Sequence, residues 1–501
     1  MSVSKGVDTY IYLSGGRFSA TVRGRDSKDS VFRETASAEI GAMQHDHREI
    51  VSKSLKVFEK SGRYAMEAAV DGKTVFHRYA EINPITGNMA DSDLDDMMKT
   101  KSVIEKNYAI SYGFADHGRG DRHQAWLRVT ENYSEWMGAC IDDMKMNDKP
   151  LGTFVLPGSH DAGMFTGLGS NADAGTLLRA YAVEKAHWAV NAAAWATNLR
   201  KSAEIAYFIA KHARLVRALL IGVTYTQKDD IATQLALGSR YFDFRPGYDI
   251  PGYRKDDTLR AQHNFVPGCT FASFLTDVVK FLKKHKREFV VVHVKFDGFA
   301  HPQSMKPTPK VVDTHLDDAL AGSGIARGGV KDLDRTIGKL LEENRRLIVL
   351  RDNDPVADSY NDGDYATDNP KDILKAVKWT IDSDRRDKKW MVLQLQATYS
   401  NKWSGRLNAL TALSDAASPL LSTKAKIDHA TYPWLMSAKA DFKNKAGSKL
   451  VVLLNDFVDN ALTSHAWALT RRRCRPAAPR INLPPAPSTR STSNRRPRRR
   501  P

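Results

Sequence analysis

The chain has 501 residues, 42% of them hydrophobic, which is enough for two or three domains with a sizeable core. Its three cysteines, Cys140, Cys269 and Cys474, are widely spaced, which excludes a disulfide framework and a metal site built on cysteines. The formal net charge is +17, but residues 471–501 hold eleven arginines and no acidic residue, which leaves +6 for the rest of the chain.

No stretch of the sequence has the pattern of a targeting or membrane-spanning segment. The N-terminus, MSVSKGVDTYIYLSGG, lacks the apolar core of a secretory signal peptide. The most apolar helical segment, 203–223, is interrupted by Lys211, His212, Arg214 and Arg217, and so cannot span a bilayer. We therefore predict a protein without transmembrane segments that is cytoplasmic or bound peripherally to a membrane.

Residues 1–140 are predicted to form a β-rich domain. The strand candidates alternate apolar and polar residues and are separated by turn signals such as Asp71-Gly72. They are Asp8–Leu13, Arg17–Val22, Tyr64–Val70, Thr74–Tyr79, Tyr108–Phe114 and Ala125–Val129. One helix is predicted at Asp46–Lys60. This pattern predicts an antiparallel sandwich, and the sequence does not indicate its role.

From Leu151 onwards the sequence alternates between strand and helix patterns, which predicts an α/β fold. The strand candidates are Thr153–Leu156, Ser239–Phe244, Leu259–His263, Phe289–Val294, Arg346–Leu350, Met391–Leu395 and Leu450–Leu454. Between the third and fourth of them, residues 271–285 place apolar side chains on one helical face. Seven strands with helices between them predict a distorted (β/α)8 barrel of TIM type over residues 141–465. The eighth strand is unrecognised or absent, so the sequence leaves open whether the barrel closes.

Two further segments fall outside this pattern. Residues 170–224, between the first two strands, are rich in alanine and are predicted to be helical. An insertion at this point would stand over the barrel mouth as a lid or a lipid-contacting cap, or would pack on the domain as a helical hairpin. Residues 466–501 are rich in Pro, Arg and Ser and are predicted to be disordered. A basic tail attracts anionic lipid or nucleic acid. A solvated tail without a specific partner, or a misread end of the reading frame, is favoured here, and no nucleic-acid partner is expected.

Polar residues that can handle phosphate occur at the ends of successive predicted strands. PGSHDAG supplies His160 and Asp161, QLALGSRYFDFR supplies Asp243 and Arg245, and AQHNF supplies His263. EFVVVHVKFDG follows at the fourth strand. Active sites of α/β barrels lie at the C-terminal ends of the strands, so these side chains are expected to converge. Taken together, the four motifs resemble the X domain of phosphatidylinositol-specific phospholipase C in its bacterial, metal-independent form.

The resemblance covers residues 150–300, fades towards residue 460 and leaves out the N-terminal region and the tail. It implies an enzyme in which a hydroxyl of the substrate attacks its own phosphodiester. Such a reaction needs a base for the hydroxyl and an acid for the diacylglycerol oxygen that leaves, and two imidazoles suit both tasks. It also needs a cation for the charge on the phosphate oxygens, and a guanidinium supplies this without a metal.

The roles of the family, carried over onto this sequence, imply that His160 is the base, His263 the acid and Arg245 the phosphate clamp. Calcium-dependent members have a second acid where this chain has Arg245. Alternation along the strand places Asp243 and Arg245 on one face, both directed into the site. We therefore expect neither a metal nor another cofactor.

The resemblance also implies positioning carboxylates. Asp161 would orient His263, and Asp243 would support the phosphate site. The family has a late carboxylate that orients the first histidine. Asp456, in LLNDFVDN after the last strand, is the candidate by position, and Asp459 competes with it.

Head-group contacts are implied at three further positions. Lys295, after the fourth strand, and Arg351, after the fifth, match basic residues that contact inositol in bacterial members; salt bridges at a barrel rim are the alternative. The family pattern Gln-Asp-x-Tyr is here Gln396-Ala397-Thr398-Tyr399, which keeps the tyrosine that stacks on the ring as Tyr399. Ala397 replaces the carboxylate that grips ring hydroxyls, so the head group is expected to differ from plain inositol.

The sequence therefore predicts a phosphodiesterase of the phospholipase C type, acting on a phosphatidylinositol-like phospholipid at a membrane surface and giving a cyclic phosphate and diacylglycerol. Two alternatives remain. One is a catalytically inactive barrel that binds lipid or glycan, which retention of both histidines and Arg245 opposes. The other is a metal-dependent phosphodiesterase of the glycerophosphodiester or sphingomyelinase D type. Such enzymes usually have a Glu-x-Asp metal pair, which Asp243-x-Arg245 does not reproduce.

Overall fold

The computed structural model describes most of the chain between Gly6 and Arg475. The residues that it leaves out inside this span are 25–27, 35–39, 51–61, 84–86, 88, 95–100, 118–121, 166–221, 223, 250–253, 255, 362–364, 384–386, 399–419 and 438–445. The predicted insertion, apart from Gly222 and Thr224, therefore lies outside the described residues. The same holds for Tyr399, for most of the predicted helix at 46–60 and for the tail after Arg475.

Ten strands form two sheets in the N-terminal part. They are β1 (Val7–Ser14), β2 (Phe18–Gly24), β3 (Ser30–Arg33), β4 (Met43–Arg48), β5 (Gly62–Val70), β6 (Lys73–Ile82), β7 (Met89–Ser92), β8 (Val103–Ile104), β9 (Ala109–Ala115) and β10 (His123–Thr130). One sheet has the order β4-β1-β10-β9-β8 and the other β3-β2-β5-β6-β7. The predicted β-rich character is confirmed. The sheets are not wholly antiparallel, because β1 and β10 pair in parallel.

Side chains of the two sheets meet in a shared core. The rings of Phe76 and Tyr112, one from each sheet, lie with centroids 4.7 Å apart. Tyr64 Oη lies 2.8 Å from Thr9 Oγ1 in another buried contact between the sheets. The predicted helix at 46–60 is wrong at its start. There the chain forms β4, whose backbone pairs with β1 instead of bonding within a helix.

Eleven further strands follow. They are β11 (Val155–Ser159), β12 (Tyr241–Phe244), β13 (Pro246–Gly247), β14 (Arg260–His263), β15 (Val266–Thr270), β16 (Val290–Val294), β17 (Ala326–Gly328), β18 (Arg345–Arg351), β19 (Val356–Asp358), β20 (Trp390–Gln394) and β21 (Leu450–Asn455). Eight of them form one sheet of order β17-β18-β16-β12-β11-β21-β20-β19, in which every neighbouring pair is parallel. Six of the seven predicted barrel strands are confirmed in this sheet.

The large sheet curls, and closure into the distorted (β/α)8 barrel, which the sequence left open, is not seen in the described part of the chain. Its edge strands β17 and β19 share no ladder within the described part of the chain. Strand β16 pairs with β18, and the three-residue strand β17 adds outside β18 with an irregular register, so the order of the chain is not kept. The α/β class and a curled parallel sheet of eight strands are therefore confirmed, and the finer assignment to a distorted (β/α)8 barrel stays a prediction.

The predicted barrel strand at Leu259–His263 is also wrong. Residues Arg260–His263 form β14, the middle strand of a small antiparallel sheet with β13 and β15. The connection to β15 is only two residues long and begins at Asn264, whose φ of 61° suits a tight turn. A chain that turns back so soon cannot continue as a parallel strand with a helical crossover.

Alternation along the parallel strands divides their side chains between two faces. Inward-facing side chains belong to one apolar cluster, whose strand members include Leu156, Tyr241, Val291, Ile348, Val392 and Val452. Their neighbours in sequence, such as Phe242, Val292, Leu393 and Leu453, belong to the clusters on the outer face. By the same period, Asp243 and His293 face inward, one step nearer the C-terminal edge. An apolar floor therefore lies below a polar layer.

Nine α-helices are described. They are α1 (Trp136–Met144), α2 (Ile231–Ala236), α3 (Phe271–Lys284), α4 (Pro302–Met305), α5 (Pro309–Leu320), α6 (Ile337–Glu342), α7 (Pro370–Asp382), α8 (Leu421–Met436) and α9 (Asn460–Cys474). No helix in the described ranges is both long and apolar enough to cross a membrane. The division of the chain at residue 140 remains a prediction, and α1 runs across it.

The predicted start of a disordered tail at residue 466 is wrong, since α9 continues to Cys474. Arg473 on this helix is buried, and its guanidinium donates to the backbone oxygens of Phe154, Gly447 and Lys449 at 2.7–3.0 Å. A buried arginine that donates to three backbone carbonyls is part of the fold, so the composition of residues 466–474 wrongly predicts disorder there.

A buried ion pair fixes the N-terminal end of the large sheet. Arg240, just before β12, has Nε 2.7 Å from Glu288 Oε2, and both side chains are almost fully buried. Glu288 also accepts from the backbone N–H of Gly138 at 2.7 Å, which ties α1 to the sheet.

We expect Glu288→Ala to lower the free energy of unfolding by about 3–5 kcal/mol, because it leaves the Arg240 guanidinium buried without its counter-charge. Urea unfolding of wild type and variant measures this. Glu343→Ala removes a carboxylate from the surface pair with Arg335 and serves as the control. A loss no larger than that of the control would contradict the structural importance of the buried pair.

Candidate active site

Five polar side chains follow the C-terminal ends of neighbouring parallel strands. His160 and Asp161 follow β11, Arg245 follows β12, Lys295 follows β16 and Asp456 follows β21. The C-terminal ends of parallel strands lie at one edge of a sheet, so the fold places these side chains at the same edge. The chemistry available there depends on their individual contacts.

His160 is held through both its ring and its backbone. Its Nδ1 lies 2.8 Å from Asp456 Oδ1, and its backbone N–H donates to Asn455 O at 3.1 Å. Its carbonyl oxygen accepts from Gln227 Nε2 at 2.9 Å and Thr226 Oγ1 at 3.0 Å. With Nδ1 occupied by the carboxylate, Nε2 is the nitrogen left for other groups.

Asp161 lies between Arg245 and His263. Its carboxylate is 1% exposed, with Oδ1 2.6 Å from Arg245 Nε and Oδ2 2.8 Å from His263 Nδ1. Neither contact has the alignment of a hydrogen bond, so both are ion-pair contacts. Burial alone would raise the pKa of Asp161, but the charges of Arg245 and His160 and the contact with His263 lower it. Asp161 is therefore ionised and attracts both neighbours.

Left-handed backbone recurs around the cluster. Asp161 has φ 41°, Asn264, which follows His263, has φ 61°, and Phe457, which follows Asp456, has φ 46°. This region costs a residue other than glycine about 1–3 kcal/mol, less for Asn and Asp. Strain of this kind collects at functional sites. Three of the six non-glycine residues with positive φ in the described ranges lie at or beside the cluster, and the other three, Asp71, Lys145 and Asn344, lie in turns elsewhere.

Arg245 and Lys295 share their carboxylate partners. Asp243 Oδ2 lies 3.4 Å from Arg245 Nη2 and 3.7 Å from Lys295 Nζ. Asp297 also contacts both, with Oδ1 3.4 Å from Arg245 Nε and Oδ2 3.1 Å from Lys295 Nζ. Burial alone would lower the pKa of Arg245 and of Lys295, but the surrounding carboxylates raise both. Two permanent positive charges therefore lie together at this edge of the sheet.

Two sets of neighbours have opposite effects on the protonation of His160. Burial alone would lower its pKa, but Asp161 and Asp456 raise the pKa of His160 to about 9, which favours the imidazolium at neutral pH. Arg245 Nη2 lies 3.3 Å from His160 Nε2, and since a guanidinium can only donate, this contact requires an unprotonated Nε2. At that separation the hydrogen bond is weak. The two carboxylates therefore outweigh this contact and favour protonated His160 in the free protein.

The remaining predicted residues lie apart from the cluster. Arg351 Nη2 donates to Asp313 Oδ1 at 2.5 Å, and no contact within the described ranges joins it to the cluster. Asp459, the competitor for the place beside His160, caps α9 and lies 3.0 Å from Lys424 Nζ instead. Ala397 is buried, and Tyr399 lies outside the described residues. Its stacking role and the head-group role of Arg351 stay predictions.

Two residues of the site were missed by the sequence analysis. Asp297 stands two positions after Lys295, and alternation after β16 gives the only signal that both face the same way. Gln227 donates to the carbonyls of His160 and Asn455 and accepts from the N–H of Val458, which joins the ends of β11 and β21. Nothing in the local sequence distinguishes Gln227 from a surface glutamine.

His160, Asp161 and Asp243 offer donor atoms within 4.8 Å of one another, close enough to hold a metal ion. Arg245 contacts both of these carboxylates, and Lys295 contacts Asp243. A divalent cation there would be repelled by two fixed positive charges and would have to displace the guanidinium. The donor set therefore fits Arg245 better than it fits a metal.

The arrangement can move protons at two points around one anion. His160 and His263 each face a carboxylate through Nδ1, which leaves Nε2 of both rings for proton transfer. Arg245 contacts His160 directly and shares Asp161 with His263. A group that binds at the guanidinium is thus within the same small cluster as both imidazoles.

Two bacterial enzymes are among the solved structures that the fold is similar to. A mutant of the phosphatidylinositol-specific phospholipase C from Staphylococcus aureus is 15% identical, with a TM-score of 0.38, and the match covers 67% of this chain and 96% of that one. The phosphatidylinositol-specific phospholipase C from Listeria monocytogenes is 14% identical, with a TM-score of 0.36, covering 67% and 98%. No protein-family model and no curated protein matches the chain. Any argument about the chemistry of this chain therefore rests on its own motifs and side-chain geometry.

We expect Asp456→Asn to lower the pKa of His160 from about 9 towards its ordinary value of 6.5, because the amide removes a negative charge 2.8 Å from the ring. Titration of the imidazole signals by NMR measures this, with His160 assigned from the signal missing in His160→Gln. Asp354→Asn, a carboxylate that instead accepts from the N–H of Arg351, is the control. A midpoint equal in the wild type and Asp456→Asn would mean that Asp456 does not set the charge of His160.

Proposed function

We propose that this chain is a phosphodiesterase of the phospholipase C kind, which cleaves phosphatidylinositol or a related phosphoglycoconjugate. The observation that supports this most is the pairing of two imidazoles, His160 and His263, each with its own carboxylate, around Arg245. In the proposed reaction a head-group hydroxyl attacks the phosphorus of its own phosphodiester. The products are a cyclic phosphate and diacylglycerol.

In this proposal His160 is the base. Asp456 engages Nδ1, so Nε2 takes the proton of the attacking hydroxyl while the new oxygen–phosphorus bond forms. Because Asp161 and Asp456 favour protonated His160, the reactive form is the fraction of the protein in which His160 is neutral. The negative charge of Asp456 then stabilises the imidazolium that the proton transfer creates.

His263 is the acid and Arg245 the electrostatic clamp. His263 gives its Nε2 proton to the diacylglycerol oxygen as the bond from that oxygen to phosphorus breaks, and Asp161 holds the ring through Nδ1. Arg245 donates to the non-bridging oxygens, where negative charge grows in the transition state. Asp161 and Asp243 fix the guanidinium before substrate arrives, so little reorganisation is needed during the reaction.

The head group would contact the rim of the same pocket. Lys295 contributes a second cation beside the phosphate, and Tyr399 and Arg351 are the proposed contacts with the ring. Asp313 would have to release Arg351 for that contact. Since Ala397 offers no hydrogen bond, a head group without the corresponding hydroxyl contact is favoured over plain inositol. The proposed partner is a phospholipid surface.

A second candidate function is a metal-dependent phosphodiesterase, which the closeness of His160, Asp161 and Asp243 favours. The proposal without a metal rests on Arg245 supplying the charge that a metal would supply. An inactive barrel that binds lipid or glycan is the third candidate. Metal dependence separates the first two candidates, and turnover separates both from the third.

We expect turnover of phosphatidylinositol vesicles to persist in excess chelator and to gain nothing from added calcium, because Arg245 provides the positive charge at the phosphate. The measurement is the release of diacylglycerol by the full chain with chelator, with calcium and with neither. Loss of activity in chelator that calcium restores would favour the metal-dependent candidate. No turnover of phosphatidylinositol or of a related phosphoglycoconjugate under any of these conditions would favour the inactive candidate.

We expect Arg245→Lys to lower the rate by about 10² to 10³, although the charge is kept, because an ammonium cannot donate from two fixed positions. His160→Ala and His263→Ala should lose at least as much. Arg335→Lys, in the surface pair with Glu343, is the matched control and should retain the wild-type rate. A near-normal rate in Arg245→Lys would show that another group contacts the phosphate.

A further inference from the structure

Asp297 occupies the solvent side of the two cations at the site. Its carboxylate is 57% exposed, yet it contacts both Arg245 and Lys295 at 3.1–3.4 Å. It follows β16 on the same loop as Lys295. Burial alone would raise the pKa of Asp297, but these two cations lower it, so the carboxylate is ionised.

The other carboxylates around these cations are buried. Asp161 and Asp243 are each 1% exposed and hold Arg245 and Lys295 from within the fold. A ligand from solvent cannot displace them without opening the sheet edge. Asp297 is the one member of this set of three that stands where an anionic ligand would arrive.

The neighbouring backbone is anchored, which leaves the side chain of Asp297 as the part that can move. On one side the N–H of Phe296 donates to Asp352 Oδ2 at 2.9 Å. On the other the N–H of Ala300 donates to Asn264 O at 3.1 Å. Between them Gly298 has φ 74°, and a Cβ there would lie 2.9 Å from Arg245 Nη1. The loop is therefore fitted closely to the guanidinium, and a rotation about the Asp297 side-chain bonds uncovers the cations without moving it.

The balance of charges around Arg245 and Lys295 gives Asp297 a role in binding an anion. Two cations, Arg245 and Lys295, face three carboxylates, Asp161, Asp243 and Asp297. The charge on His160 is offset by Asp456, so the positive charge where an anion would bind is already more than neutralised. We propose that Asp297 is an internal counter-ion that the phosphate of a ligand displaces, and that its charge makes the site selective for monoanionic phosphodiesters over dianionic phosphomonoesters. This inference rests on the proposed function, because it assumes that phosphate binds at Arg245.

The selectivity follows from the charge of the ligand. A displaced carboxylate remains attached to the loop within a few ångströms, where it repels a bound anion in proportion to that anion's charge. A dianion is repelled about twice as strongly as a monoanion by the same fixed charge. Phosphomonoesters are largely dianionic above their second pKa of about 6, whereas phosphodiesters carry one charge.

The test compares the binding of dimethyl phosphate, a monoanion, and methyl phosphate, a dianion, by calorimetry at pH 8. The proteins are the wild type, Asp297→Asn and Asp297→Ala, the last because an amide could itself donate to phosphate. Asp334→Asn is the control. Asp334 is 51% exposed and lies 2.6 Å from Lys389, which directly precedes β20 at the N-terminal ends of the strands, opposite the site. All four proteins should have the same melting temperature within error.

We expect both Asp297 variants to bind dimethyl phosphate about threefold more tightly and methyl phosphate about tenfold more tightly, from the loss of a partly screened charge. The control should bind as the wild type does. Unchanged or weaker binding in the variants would mean that Asp297 positions the cations and would overturn the inference. Equal tightening of both anions would overturn the selectivity. The expected shift in binding, without turnover of phosphatidylinositol or of a related phosphoglycoconjugate by the wild type, would support the counter-ion and contradict the proposed function.

Discussion

The buried carboxylate of Asp161 is the interaction on which the site depends. It is 1% exposed and contacts Arg245 at 2.6 Å and His263 at 2.8 Å, so a single negative charge joins the end of β11, the end of β12 and the β14–β15 hairpin. The hairpin has no ladder with the large sheet within the described residues. Without the charge of Asp161, His263 would lose its contact with the cluster, and Arg245 would keep only longer contacts, to the buried Asp243 and the exposed Asp297.

The contacts of the Asp161 carboxylate explain the left-handed backbone at this residue. Asp161 has left-handed φ, and the N–H of the next residue, Ala162, donates to Asp243 O at 2.8 Å. The chain therefore turns at Asp161 and is fixed to β12 immediately afterwards, which directs the carboxylate towards the neighbouring strand. A strained conformation persists when several contacts determine it together, as the two ion pairs and this hydrogen bond do here.

The sequence predicts those residues of the site that directly follow the parallel strands. His160, Arg245 and Asp456 directly follow apolar runs that are long enough to be recognised, and parallel strands bring their C-terminal ends to one edge whatever the helices do. Strand order is less predictable, because β17 and β19 are three residues long and carry no periodic signal. His263 lies on a hairpin whose turn at Asn264 resembles the end of a parallel strand in sequence alone.

Contacts between distant segments could not be predicted at all. The carboxylate that binds Arg351, Asp313, lies on α5, and no pattern in either segment connects the two. Asp297 is a similar case: its position after Lys295 fixes the face of the strand but not which cations it reaches. The partners of long charged side chains depend on the distances between loops in the folded protein. The sequence pattern does not contain those distances.

The N-terminal sheets take part in the same framework through a buried group of charges below Asp456. Lys424 on α8 lies 2.5 Å from Asp428 and 3.0 Å from Asp459, and Arg128 of β10, which is fully buried, lies 3.9 Å from Asp459. Two cations thus balance two anions without access to water. Removing one member would leave a buried charge unpaired, at a cost of about 3–5 kcal/mol.

This group of charges is connected to the site by Asn455. Its Nδ2 donates to Asp428 Oδ1 at 2.8 Å, and its Oδ1 accepts from the N–H of Asp456 at 2.9 Å. Its carbonyl oxygen accepts from the N–H of His160. A continuous series of contacts therefore runs from Arg128 in the N-terminal sheets to the imidazole. Because Arg128 completes the charge balance under Asp456, the N-terminal sheets are part of the support for the site.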